Sequence, residues 1–141
     1  REVRLPLLHH SWNTRAMGRI SSPGCYQSDS EDIATLAARF PTVTIVAAHL
    51  RPNGLRGIWQ VRDHRNVLFD TSGGQPITGV IEAAVRLLGS HRVVYGSDAY
   101  FPEGRDYASQ MACIEEARIS ESARERILGL NALRVLAEAA A

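Results

Sequence analysis

Apolar residues in this chain occur in two patterns. Short continuous runs appear at Leu5 to Leu8, Val43 to Ala48, Val67 to Phe69 and Val93 to Tyr95. Runs of this length between turn residues read as buried strands. Strands are predicted over Arg4 to His10, Val43 to Ala48, Asn66 to Asp70 and Arg92 to Gly96. Between them the apolar positions recur at helical spacing. Ile33, Leu36, Ala37 and Phe40 share one helix face, opened by Ser28 and Glu31 at capping-box spacing and stopped by Pro41. Pro52, Asn53 and Gly54 read as a turn, followed by a short helix over Leu55 to Asp63 with Ile58 and Trp59 as its apolar contribution. Ile81, Ala84, Val85 and Leu88 line a helix with Pro76 in its first turn and Gly89 as its stop. A helix over Arg105 to Ala117 carries a Tyr107, Met111 and Ile114 core stripe, and Ser120 caps a last helical region.

The strand and helix periods therefore alternate along the whole chain. Strands separated by helices pair in parallel through right-handed crossovers. The predicted fold class is α/β, with four parallel strands in sequential order and helices on the outer face. The polar stretch from Ser11 to Gln27 reads as a long loop, of the kind that is usually functional or mobile.

Composition narrows the function classes. At 141 residues the chain is one domain's worth, or part of a larger one. A net charge of +1 gives no reason to expect nucleic acid. No apolar run is long enough to span a membrane. All 16 basic residues are arginine, which excludes a Schiff-base, P-loop or general-base lysine. Cys25 and Cys113 match no metal or redox spacing, so free thiols in a reducing, cytoplasmic compartment are expected. The chain begins at Arg1 and enters a strand almost at once, as expected of a piece of something longer.

Three strand ends carry candidate chemistry. The first ends on His9 and His10, the second on His49, and the fourth runs through Gly96 and Ser97 to Asp98. In parallel α/β folds the C-terminal strand ends are where chemistry is placed. Imidazole and carboxylate suit zinc or another divalent ion, which acidifies a bound water or polarises a carbonyl. Because neighbours on a strand point to opposite faces, only one of His9 and His10 can share a site with the others.

These segments resemble the amidohydrolase superfamily, in the branch called amidohydrolase 2. Leu5-Pro6-Leu7-Leu8-His9-His10-Ser11-Trp12 is similar to that family's fifth barrel strand. Phe40 to Leu50, Asn66 to Gly73 and Arg92 to Asp98 are similar to its sixth, seventh and eighth, and Leu128 to Ala132 to the start of its closing helix. The resemblance implies the C-terminal half of a (β/α)8 barrel over residues 1–141. It implies His10 and Asp98 as metal ligands, His49 as the acid or base beside the metal, and zinc as the divalent ion. The spacing from Pro6, and Trp12 two residues on, favour His10 over His9. The implied activity is hydrolysis or non-oxidative decarboxylation of a small carboxylated or lactone-like substrate, as in the family's relatives of aminocarboxymuconate-semialdehyde decarboxylase.

Two departures from the family pattern stand out. Its first-strand His-x-His pair is missing, along with strands one to four, which points to a missing N-terminal half or a homo-oligomer. Arg51 stands where small residues are common; it reads either as a bidentate arm for a substrate carboxylate or as a solvated loop residue. The rivals are a doubly wound α/β ligand-binding module and a non-catalytic remnant that folds by pairing. No Gly-x-Gly-x-x-Gly follows any strand, which weighs against a dinucleotide site. Ser72 lacks a nucleophile-elbow context. Asp70 faces the barrel interior or caps a turn, His64 reads as a solvated helix end, His91 as preceding a strand on the face opposite the expected chemistry, and Asn131 as a tie at a helix start.

Overall fold

The computed structural model describes residues 5–12, 27–73, 78–99 and 107–140. Four strands form one sheet in the order β1 (Leu7–His10), β2 (Ile45–Ala48), β3 (Val67–Asp70) and β4 (Val93–Val94). Every neighbouring pair is parallel. The helices are α1 (Ser30–Arg39), α2 (Leu50–Val61), α3 (Val80–Leu88), α4 (Tyr107–Glu115), α5 (Glu121–Glu125) and α6 (Asn131–Ala140). The sequential order has no switch point, which excludes the doubly wound arrangement and gives the partial barrel.

Register assigns the two faces of the sheet. Leu8 pairs with Val46, Val46 with Leu68, and Asp70 with Val94. Alternation places Leu8, His10, Val46, Ala48, Leu68, Asp70 and Val94 on one face, the inner one. The opposite face supplies Ile45, Ala47, Val67, Phe69 and Val93 to the main core. There they meet Ile33 and Ala37 of α1, Ile58 and Val61 of α2, Ile81 and Ala84 of α3, and Ile114 of α4. Trp59 departs from the sequence reading: it is exposed, and Arg62 covers its ring at 4.4 Å.

Helix boundaries differ from the sequence reading where local capping competes. Asp29, not Ser28, caps α1: its carboxylate accepts the Glu31 N–H at 2.7 Å, and Asp32 reciprocates on the Asp29 N–H at 2.9 Å. Burial pushes the Asp29 carboxyl up, but that N–H and the Arg56 guanidinium outweigh it and hold the group below its ordinary range. The Pro52-Asn53-Gly54 turn is a first helical turn of α2, broken at Gly54 by a φ of 56°. Glycine alone takes that conformation without strain. Gln75, Pro76 and the loop Tyr100 to Gly104 lie outside the described residues, as does Cys25.

Two buried polar side chains tie the outer layer together. Arg92 is almost fully buried and donates to the carbonyls of Val61, Arg62, His64 and Val67 at 2.7–2.8 Å. Those carbonyls lie at the end of α2, in the turn that follows and at the first residue of β3, so one guanidinium closes that corner. Asn131 heads α6 and donates to the carbonyls of Ser90 and Val93, each at 2.7 Å, which is the helix tie read from the sequence.

The expectation of helices on the outer face alone needs one correction. Val135 of α6 packs on inner-face Leu68 and Val94. A π-helical turn, Arg126–Leu130, precedes α6. Its wider winding frees backbone groups, and the Ile127 carbonyl accepts the Tyr95 N–H at 2.8 Å. This bond and Asn131 pull α6 under the starting end of β4. Leu8, at the other side of the inner face, is 70% exposed.

Candidate functional site at the C-terminal strand ends

His10 ends β1 on the inner face, and His49 follows β2 directly. Strict alternation would send the side chain after Ala48 to the helix face. His49 instead adopts a left-handed conformation, φ 74° and ψ 63°. That break turns its ring toward His10, with ring centroids 4.7 Å apart at an interplanar angle of 81°. Trp12 completes the cluster, parallel to His10 at 6.1 Å and edge-on to His49 at 5.4 Å. His9 points elsewhere, its Nδ1 lying 2.7 Å from the His10 carbonyl oxygen. Thus His10 is the one of the two that shares a site with His49.

A left-handed residue that is not glycine needs holding. Asp70, the last residue of β3, does this: its Oδ1 accepts the His49 N–H at 2.9 Å. The same oxygen accepts the Ser72 N–H at 3.0 Å and the Ser72 hydroxyl at 2.5 Å. Ser72 Oγ in turn lies 2.8 Å from His49 Nδ1. Asn53 fixes the peptide on the other side of His49, donating to the His49 carbonyl at 2.7 Å and to Ser11 Oγ at 3.0 Å. Ser11 donates to the Ala48 carbonyl at 2.7 Å, joining the ends of β1 and β2.

Two glycines make room for this cluster. A Cβ on Gly96 would lie 2.8 Å from the Asp70 carboxyl carbon. A Cβ on Gly73, whose φ is 90°, would lie 2.9 Å from His49 Cβ and 3.1 Å from its Nδ1. Thr71 seals the Asp70 side, its hydroxyl accepting the Gly96 N–H at 3.1 Å. Asp70 and Ser72, given only modest readings from the sequence, are therefore central to the site. Their signal was the Asp-Thr-Ser-Gly run after an apolar strand, which says nothing of a partner 21 residues away.

The expected meeting of His10, His49 and Asp98 is not made. Among the described residues, no group of three or more His, Cys, Asp or Glu side chains comes together as a metal shell. Pairing of β4 stops at Val94, and Asp98 lies in irregular backbone with a φ of 50°. No sheet register carries its side chain toward His10. The donor types still suit a divalent ion, but their number here leaves the shell incomplete. Arg51 is not a solvated loop residue. It is 2% exposed in the first turn of α2 and lines a groove of about 190 Å³ with Thr78, Glu82 and Glu116.

The comparisons fit this geometry. An uncharacterised TIM-barrel protein from Bordetella bronchiseptica matches with a TM-score of 0.73 at 20% identity, over 96% of this chain and 47% of its own. An amidohydrolase from Burkholderia multivorans, solved with bound zinc, matches with a TM-score of 0.61 at 21% identity, over 77% of this chain and 49% of its own. A dihydroxybenzoic acid decarboxylase from Polaromonas sp. JS666, solved with manganese and 2-nitroresorcinol, matches with a TM-score of 0.59 at 16% identity, over 94% and 49%. No curated protein matches. The chain spans about half the length of these solved structures.

The sequential parallel strands and these matches together define a partial (β/α)8 barrel. The sequence matches the amidohydrolase family over residues 7–137, and the chain belongs to it.

Proposed function

We propose that this chain supplies the C-terminal half of a divalent-metal enzyme site that hydrolyses or decarboxylates a small carboxylated or lactone-like molecule. The observation that carries this reading is the His10–His49 ring pair at the C-terminal end of a parallel sheet. His10 would hold the ion beside the ring pair, and Asp98, which does not meet it in this structure, would have to swing in from the irregular backbone after β4 to join it, with further ligands from the barrel strands that this chain does not contain. Zinc or manganese, when bound, would supply charge that polarises a substrate oxygen or acidifies water. His49 is the residue that gives or takes a proton. Trp12 walls one side of the ring pair. Arg51 would meet a substrate carboxylate if that group extends into its groove. The small-molecule substrate, and strands from an N-terminal half or a second copy that complete the barrel, are parts of the same proposal. No helix among the described residues is long and apolar enough to cross a membrane.

Titration of the chain with zinc and with manganese by calorimetry tests this. Binding that weakens in both His10→Ala and Asp98→Ala supports the assignment. Undiminished binding in both variants would remove it. Sedimentation on the same samples reads the self-association expected of the inner face where Leu8 leaves it exposed.

A further inference from the structure

We propose that Ser72 is a positioning residue, which with Asp70 locks the neutral His49 ring in its Nδ1–H tautomer and leaves the lone pair on Nε2. This rests on the reading of His49 as the proton-moving group, but it makes a claim about the ring that stands apart from any activity.

Hydroxyl arithmetic decides the direction of the chain. Ser72 has one O–H, and a carboxylate is the strongest acceptor within its reach. Its Oγ lies 2.5 Å from Asp70 Oδ1, so the proton is donated there. Toward His49 the same oxygen then has only lone pairs to offer. It faces Nδ1 at 2.8 Å, so Nδ1 must carry a hydrogen for that bond to exist.

The surroundings keep the arrangement. His49, Asp70 and Ser72 are each at most 9% exposed. The Ser72 and His49 N–H groups both donate to Asp70 Oδ1, which anchors the carboxylate between the two residues it organises. Gly73 closes against the Nδ1 side of the ring, where a Cβ has no room. Gly96 lies against the other side of the carboxylate, where a Cβ would come within 2.9 Å of Oδ2. The order of groups differs from a Ser–His–Asp triad, in which histidine stands between the other two.

The consequence is one of orientation. A histidine whose tautomer is undefined divides its lone pair between two nitrogens, and only one faces the substrate. Here the buried chain commits Nδ1 as a donor, so every neutral His49 presents Nε2 as a base.

Nitrogen NMR of the chain with 15N-labelled histidine tests this, at a pH where the ring is neutral. The His49 signals are assigned by their loss in His49→Gln. The wild type should show a protonated Nδ1 and an unprotonated Nε2. Ser72→Ala should move the tautomer ratio about tenfold toward Nε2–H, the weight of one buried hydrogen bond. Ser72→Thr, which retains the hydroxyl, should keep the wild-type signature. A wild-type His49 in the Nε2–H form would overturn the proposal, even if Ser72→Ala fails to fold. So would a folded Ser72→Ala with unchanged signals. Metal titration of the same samples reads the functional proposal separately: intact metal uptake with the wrong tautomer sinks only the lock, and the reverse result sinks only the metal site.

Discussion

Asp70 holds His49 by its backbone: the carboxylate at the end of β3 accepts the His49 N–H at 2.9 Å, fixing a left-handed residue at the end of β2. Removing that acceptor strands three donors in a buried site, namely the His49 N–H, the Ser72 N–H and the Ser72 hydroxyl. Asp70→Ala should therefore lower stability by about 3–5 kcal/mol. Urea unfolding followed by circular dichroism measures it. A loss under about 1 kcal/mol would show that the carboxylate is not the organising acceptor.

Gly96 offers a separate check on the same cluster. Its missing side chain leaves the space filled by the Asp70 carboxyl, 2.8 Å from where a Cβ would stand. Gly96→Ala should cost about 1–3 kcal/mol through overpacking. It should also shift the His49 ring signals, because Asp70 must move. A neutral substitution with unmoved signals contradicts the packing described.

Arg92 should matter to stability and not to the site. Ala in its place removes four hydrogen bonds, although the Val61 and His64 carbonyls each keep a backbone donor, and the expected loss is about 2–4 kcal/mol. Arg92→Lys should recover little, because an ammonium cannot reproduce the planar fork. Burial, then the nearby Arg65, press the Arg92 pKa down, with Asp63 opposing them. Full rescue by lysine would show that charge alone is sufficient.

His91 introduces pH dependence on the helix side. Burial pushes its pKa below the ordinary histidine value, and Arg92, Arg134, Arg126 and Arg65 add to the effect. The folded chain thus binds the proton less readily than the unfolded one. Stability is complete above the unfolded value near about 6.5 and falls as pH drops through it toward the folded value. His91→Gln should lose less stability than wild type between about pH 7.5 and about pH 5.5. Parallel stability curves for the two proteins would exclude this role.

The two adjacent histidines of β1 should separate cleanly. His10→Ala should weaken zinc or manganese uptake by roughly tenfold or more, since even outer-shell changes have that effect. His9→Ala should leave uptake nearly unchanged, because its Nδ1 faces the His10 carbonyl oxygen and its ring is not among those stacked with His49. Equal losses in calorimetry would mean that the β1 register is wrong.

The sequence by itself determined the strands, their parallel order and the family, because apolar runs and helical spacing are local and each was long enough to read. It also singled out His10 over His9, and Asn131 as a helix tie, which the structure places beside His49 and at the head of α6. Only tertiary structure could decide what surrounds them. Asp70 and His49 lie 21 residues apart, and their bond depends on the β2–β3 register and on a left-handed turn that is uncommon at any residue but glycine. Ser72 reads as an ordinary loop serine until its hydroxyl is seen between a carboxylate and an imidazole. Asp98 lies in a family-like motif yet joins no three-residue cluster among the described residues, because strand pairing stops before it and nothing in the sheet aims its side chain. The pattern of hydrophobic positions fixes which face a residue takes along a strand. Past the last paired residue that rule lapses, and the backbone's next few dihedrals, set by distant partners, choose where the chemistry points.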